Sequence, residues 1–250
     1  MTAIGRRPFL AASAASAATL WAGSAAAQGA EVDLQLVLAA DVSRSIEADE
    51  FALQRGGYAD AFRDPRVVRA IRSGPLGRIA ISFIEWSGEY AQAVMVPWGL
   101  IGDDESAANF AAAVERAPRP FADRTSIGEA IDFSVAHFAQ SPYRSARRVI
   151  DVSGDGTNTN GKAPNTARDQ AVKAGFVING VVILSPPDVN SFTQWHTNPP
   201  GGLDEYYRRN VMGGPGGFVL VAENFTSFAH AIVNKLIREI AATPRTTGLA

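Results

Sequence analysis

The stretch Leu34–Ser45, LQLVLAADVSRS, constrains the chain more than any other. An apolar run about one strand long ends abruptly in Asp41-x-Ser43-x-Ser45. Unbroken apolarity, as opposed to alternation, is what a strand covered on both faces needs. In an open α/β sheet the loops beyond the carboxyl ends of the strands are where ligands bind. One carboxylate and two hydroxyls at alternate positions there suit a hard cation such as Mg²⁺, which prefers oxygen donors in an octahedron. The same residues have a plainer use, because Ser45 could cap a helix beginning at Ile46.

Strand-like and helix-like stretches alternate from there on. Ile46–Phe62 sets Phe51, Leu53, Tyr58 and Phe62 among charges and reads as a surface helix. Gly77–Trp86 is a second strand, and Tyr90–Val96 follows across Ser87-Gly88 as an antiparallel hairpin partner. Pro97 should end that partner, at an edge of the sheet. Asp103–Glu115 is an alanine-rich helix with acids in its first turn, which favours the helix dipole. Past Pro118 and Pro120, Ile127, Ala130, Ile131, Val135 and Phe138 recur at helical spacing, so Thr125 and Ser126 stand at a helix start. Arg147–Ser153 is a buried-type strand ending in Gly154-Asp155-Gly156, where little crowds the backbone. Ala163–Ala174 is a helix stopped by Gly175, and Phe176–Leu184 a core strand. Phe218–Ala222 is the last strand. Phe225–Ile240 carries Phe225, Phe228, Ala229, Ile232, Val233, Leu236, Ile237 and Ile240 on one stripe, an amphipathic helix for the sheet.

Three of these points together resemble the metal-ion-dependent adhesion site of von Willebrand factor A domains. The first is Asp41-x-Ser43-x-Ser45 after a buried first strand. The second is Thr125-Ser126-Ile127-Gly128, close to the family's Thr-x-Ile-Gly loop. The third is Asp155 at a later strand end, although this chain reads Ser-Gly-Asp-Gly where the family usually reads Ser-Asp-Gly. Each has an ordinary alternative: a cap for Thr125 or Ser126, and a simple Asp-Gly turn for Asp155. The resemblance implies a Rossmann-like, doubly wound α/β fold with a mostly parallel sheet and one antiparallel edge strand. It places the first and fourth strands side by side and gathers Asp41, Ser43, Ser45, Thr125 and Asp155 around Mg²⁺ or Mn²⁺. It also implies the mode of action: a carboxylate of a partner protein completes the shell of the bound cation. The wider match is to a bacterial secreted family of unassigned function.

Composition narrows the rest. A formal net charge of −2 gives no basic field for nucleic acid. Absence of cysteine excludes disulfides, thiolate metal sites and a cysteine nucleophile. Arg6-Arg7-Pro8-Phe9-Leu10, an uncharged alanine-rich run and Ala25-Ala26-Ala27 have the layout of a cleavable export signal over residues 1–27. The paired arginines resemble a twin-arginine signal, with an ordinary Sec signal as the alternative. The expected product is one periplasmic or secreted domain, residues 28–250, with no later stretch of the ~20 apolar residues a spanning helix needs. Its irregular insert, residues 185–217, is rich in proline and glycine but holds Trp195, His196, Tyr206 and Tyr207, with a small helix near Leu203–Met212. A metal-dependent hydrolase and a purely structural metal are the competing readings. The first needs a general base. His137 and His230 fall within helices as packing or surface residues, which leaves His196.

Overall fold

In the computed structural model, which describes residues 29–184 and 194–241, strands and helices alternate along most of the chain. A short strand β1 (Ala30–Glu31) precedes β2 (Gln35–Asp41), followed by helices α1 (Ala48–Arg63) and α2 (Pro65–Arg72). Strands β3 (Ile79–Trp86) and β4 (Gln92–Ile101) form a hairpin, and helices α3 (Asp104–Arg116) and α4 (Ile127–Phe138) come next. The chain then runs through β5 (Tyr143–Arg144), β6 (Arg148–Gly154), α5 (Pro164–Lys173) and β7 (Val177–Ile183). Past the gap it forms α6 (Gln194–Thr197), α7 (Leu203–Asn210), β8 (Val219–Ala222) and α8 (Phe228–Ala241), the last entered through a 3₁₀ turn at Phe225–Ser227. The leader expected over residues 1–27, and residues 185–193 of the expected insert, lie outside the described residues.

Six strands make one sheet in the order β4-β3-β2-β6-β7-β8, parallel except for the β3–β4 pair. β2 is central, and all seven of its residues are buried, as its unbroken apolar sequence requires. It lies beside β6, so the expected adjacency of the first and fourth strands of the sheet holds. Their register pairs Ala40 with Ser153 and brings both strands to the same rim. α1, α2, α3 and α8 cover one face, α4, α5 and α7 the other, and each face has its own apolar cluster.

Three local expectations change. β4 does not stop at Pro97 but runs to Ile101. Val96 pairs with Phe83 and Gly99 with Ile81, so Pro97 sits in a bulge of an edge strand where no ladder donor is needed. The first helix begins at Ala48 instead of Ile46, because the Glu50 carboxylate accepts the Glu47 amide (2.9 Å) and fixes the start there. A separate helix, α2, follows it directly: Asp64 accepts the Arg66 amide (2.8 Å) and Pro65 occupies the first turn. The stripe expected of the last helix faces the sheet, but two charged residues, Lys235 and Glu239, are buried with it.

Candidate metal centre

The end of β2 delivers Asp41 to the rim fully buried, and the chain then turns tightly enough for Asp41 Oδ1 to accept the Ser43 amide at 2.7 Å. Ser43 and Ser45 hydroxyls stand 3.1 Å apart, and Ser45 Oγ donates to Asp155 Oδ1 at 2.8 Å. Ser45 therefore caps no helix; it ties the loop after β2 to the end of β6. Gly154 extends β6 by one residue, pairing with Val182, and Asp155 follows immediately, 1% exposed. Four of the five expected residues are thus joined by a continuous set of hydrogen bonds.

Thr125 stands on the adjoining loop, which the Arg44 amide holds through the Asp123 carbonyl (2.8 Å). The capping alternative for this loop does not apply. The first amides of α4 are met by Asn158, whose Oδ1 accepts Ile127 N at 2.7 Å and Gly128 N at 3.4 Å. With that duty taken over, the Ser126 hydroxyl donates to the Asn160 carbonyl, and Thr125 Oγ1 lies 3.2 Å from His196 Nε2.

The electrostatics favour a cation. Burial and then the neighbouring Asp155 hold the Asp41 carboxyl well above the usual carboxylate range, against the bonds from Ser43. Burial pushes Asp155 up to about 6, against the Ser45 hydroxyl, and the Glu50 charge adds to it. Among the described residues no lysine or arginine forms an ion pair with either. Asp41 Oδ2 is buried without any hydrogen-bond partner. A buried acceptor in that state is costly unless something positive meets it. A hard divalent cation fits this donor set. Among the described residues no three His, Cys, Asp or Glu side chains converge, so the centre depends on hydroxyls as well as carboxylates.

Sequence reading missed the residues that shape this centre from behind. One Arg119 guanidinium nitrogen donates to the carbonyls of Val42 (3.1 Å), Ser43 (3.3 Å) and Ile46 (3.0 Å), clamping the loop that carries the serines. Phe51 lies against the guanidinium groups of Arg119 and Arg55, 4.7 and 4.5 Å from its ring centre. Gln54 donates to the Asp41 carbonyl at 2.8 Å. The insert contributes too. Tyr206 Oη accepts the Asn158 amide at 3.1 Å, and the fully buried Tyr207 hydroxyl reaches beneath the centre. The two glycines around Asp155 make that approach possible. A Cβ at Gly154 would lie 2.6 Å from Tyr207 Oη and 2.9 Å from Asp41 Oδ2, and one at Gly156 would collide with the His196 ring. The extra glycine of Ser-Gly-Asp-Gly is where the insert enters.

Residues 31–244 match the family described as "Protein of unknown function (DUF1194)". The chain belongs to that family. Its fold is that of von Willebrand factor A domains, as three solved structures show. Proximal thread matrix protein 1 from the mussel byssus superposes with a TM-score of 0.57 at 16% identity, over 85% of this chain and 47% of its own. The von Willebrand factor type A protein from Catenulispora acidiphila gives 0.57 at 14%, over 84% and 42%. The pilus adhesin SpaC from Lactobacillus rhamnosus GG gives 0.56 at 16%, over 84% and 30%. The chain spans less than half the length of each. No curated protein matches it.

Proposed function

We propose that this DUF1194 chain binds a divalent cation, Mg²⁺ or Mn²⁺, at Asp41, Ser43, Ser45, Thr125 and Asp155, and through it a carboxylate on a partner protein. The observation that carries the reading is the pair of buried, mutually repelling carboxylates with Asp41 Oδ2 unpartnered. Two carboxylates and neutral hydroxyls leave a hexacoordinate ion short of ligands, with water in the remainder. An acidic side chain arriving from outside can replace that water. We infer further that residues 28–250 act as one exported domain, after removal of the leader over residues 1–27. The sequence of that leader supports this, as does the absence, among the described residues, of any helix long and apolar enough to cross a membrane. A pilus adhesin and a byssal thread protein share the fold, which suits a role in attachment outside the cytoplasm.

The test is a comparison of thermal midpoints in EDTA and in Mg²⁺ or Mn²⁺. A ligand at a hundred times its Kd adds about 2.7 kcal/mol, and in a domain of this size that raises the midpoint by roughly 5–10 °C. Asp41→Ala and Asp155→Ala should each abolish the rise. A rise that persists in both variants would place the cation elsewhere. The clamp gives a second test. Arg119→Ala leaves every proposed ligand in place but frees the loop that carries two of them, Ser43 and Ser45. Its Mg²⁺ affinity by calorimetry should fall about 10–100-fold, as when an outer support of a metal site is removed. Unchanged affinity would show that the loop holds its shape without Arg119.

A further inference from the structure

Two arginines border the centre without serving it. Arg44 lies between Ser43 and Ser45, and Arg124 immediately precedes Thr125. They belong to one stretch of surface, because the Arg44 amide donates to the Asp123 carbonyl at 2.8 Å. Both are exposed, and among the described residues neither side chain has an ion pair, hydrogen bond or ring contact. The neighbouring Asp123 carboxylate packs against Gly88 instead, where a Cβ would lie 2.6 Å from Oδ2.

Exposed aromatic surface gathers at the same place. Among the described residues the two most exposed large hydrophobic side chains are Tyr90, at 92%, and Trp195, at 71%. Tyr90 stands in the turn after β3, where the Ser87 carbonyl accepts the Ser126 amide at 2.7 Å, one residue past Thr125. Trp195 precedes His196, whose ring lies over Gly156 and 3.2 Å from the Thr125 hydroxyl. A hairpin turn and a short helix of the insert thus bring both aromatics to the border of Thr125. Single exposed aromatics are ordinary, but tyrosine, tryptophan and arginine together are what binding surfaces concentrate.

We propose that this rim docks an extended acidic segment of another protein, with one carboxylate on the cation, a second acid on Arg44 and Arg124, and an apolar side chain against Trp195. The proposal rests on the cation reading above for its first contact and specifies the partner sequence around it. A lone acid would complete the cation's shell and leave both guanidinium groups unmet. Two positive charges on one surface with no acid of their own favour an anion there. Glu89 stands beside the Tyr90 hydroxyl, which places the second acid on the arginine side and not on that one.

The experiment titrates three capped glycine–serine hexapeptides by calorimetry in Mg²⁺. One carries a single aspartate, one carries two adjacent aspartates, and one carries two aspartates followed by leucine. The proteins are the wild-type chain, the double variant Arg44→Ser/Arg124→Ser, and Trp195→Ser. Thermal midpoints in EDTA confirm that each variant folds, and Mg²⁺ affinity should fall in neither. The second aspartate should tighten binding to the wild type about 5-fold at low salt, the upper value for a solvent-exposed pair, and less at high salt. The double variant should lose that gain and keep its affinity for the single aspartate. The leucine should add about 4-fold, the worth of one buried methylene group, and Trp195→Ser should lose it. A second aspartate that adds nothing, or a gain that survives in the double variant, overturns the proposal and leaves the cation reading intact. Mg²⁺ binding without affinity for any peptide overturns it together with the carboxylate bridge. Peptide binding that needs the arginines but is unchanged in EDTA overturns the cation reading while the arginine surface stands. Self-association of the wild type that the double variant abolishes would make a second copy the occupant and overturn the partner proposed.

Discussion

Replacing Lys235 by methionine should cost about 3–5 kcal/mol of stability, the penalty for removing one partner of a buried ion pair. The Lys235 ammonium is fully buried between α8 and the sheet, where it meets Asp151 in the middle of β6 and Glu239 one turn along its own helix (2.8 Å). Asn179 of β7 donates to Glu239 Oε1 at 2.6 Å, and its own oxygen accepts the Phe218 amide at 3.0 Å. Burial pulls the ammonium down from its ordinary range and Glu239 pulls it back, so the charge is held by its neighbours and not by water. Without it, two carboxylates share a dry space and one must take up a proton. The thermal midpoint should fall by roughly 6–20 °C, at 2–4 °C per kcal/mol for this size. Adding Glu239→Gln should recover part of the loss, since the amide oxygen still accepts from Asn179 and one charge is gone. A drop of under about 1 kcal/mol, the surface-pair value, would mean that water reaches the carboxylates. The network fastens α8 to β6, the strand that leads directly into Asp155.

That network was not legible in the sequence, and the reason is physical. Periodicity reports which helix face is buried, and it placed Phe228, Ile232, Leu236 and Ile240 correctly. It reads lysine and glutamate as solvent residues unless a partner is known, and the partner, Asp151, is 84 residues away. The same limit explains Arg119. Nothing local marks an arginine between two prolines as the clamp on a loop more than seventy residues earlier. What could be read was what strand ends fix by themselves. An apolar run closing on Asp41-x-Ser43-x-Ser45 and another closing on Asp155 had to reach one rim, because parallel neighbours share their direction. The irregular insert was singled out by its aromatics, but that it would place His196 against Thr125 depended on room left by Gly156, and the approach of Tyr207 on room left by Gly154. A glycine in a sequence announces available space without saying what fills it.

In EDTA the protein should lose stability as the pH rises from about 4 to 7, the reverse of a fold whose carboxylates are well paired. The sign follows from the direction of the shifts. A carboxyl raised above its unfolded value binds its proton more tightly in the native state. The stability it confers is complete below the unfolded pKa and is lost as the pH climbs through the folded one. Asp155, pushed from 3.8 to about 6, contributes on the order of 3 kcal/mol at about 1.4 kcal/mol per pH unit. Asp41 acts in the same direction. Burial also lifts Glu85 to about 7 against the pull of Arg55, which carries the decline to neutrality. A cation changes the outcome because it must displace those protons: its stabilisation grows through the same window and should flatten the profile. Urea midpoints at pH 5 and pH 7.5, with EDTA and with Mg²⁺, would check this. Asp41→Asn gives the sharpest comparison. Its amide oxygen can still accept the Ser43 amide, and the repulsion with Asp155 is gone. At pH 7.5 in EDTA that variant should be more stable than the wild type by about 1–3 kcal/mol, one to two pKa units of the cost of ionising a buried carboxyl, yet show no response to Mg²⁺. A wild type that gains stability between pH 5 and 7.5 in EDTA would mean that these carboxylates are content as anions without a cation. The expected order, a more stable variant that has lost its metal response, would mean that the native chain keeps two destabilising charges because the cation needs both.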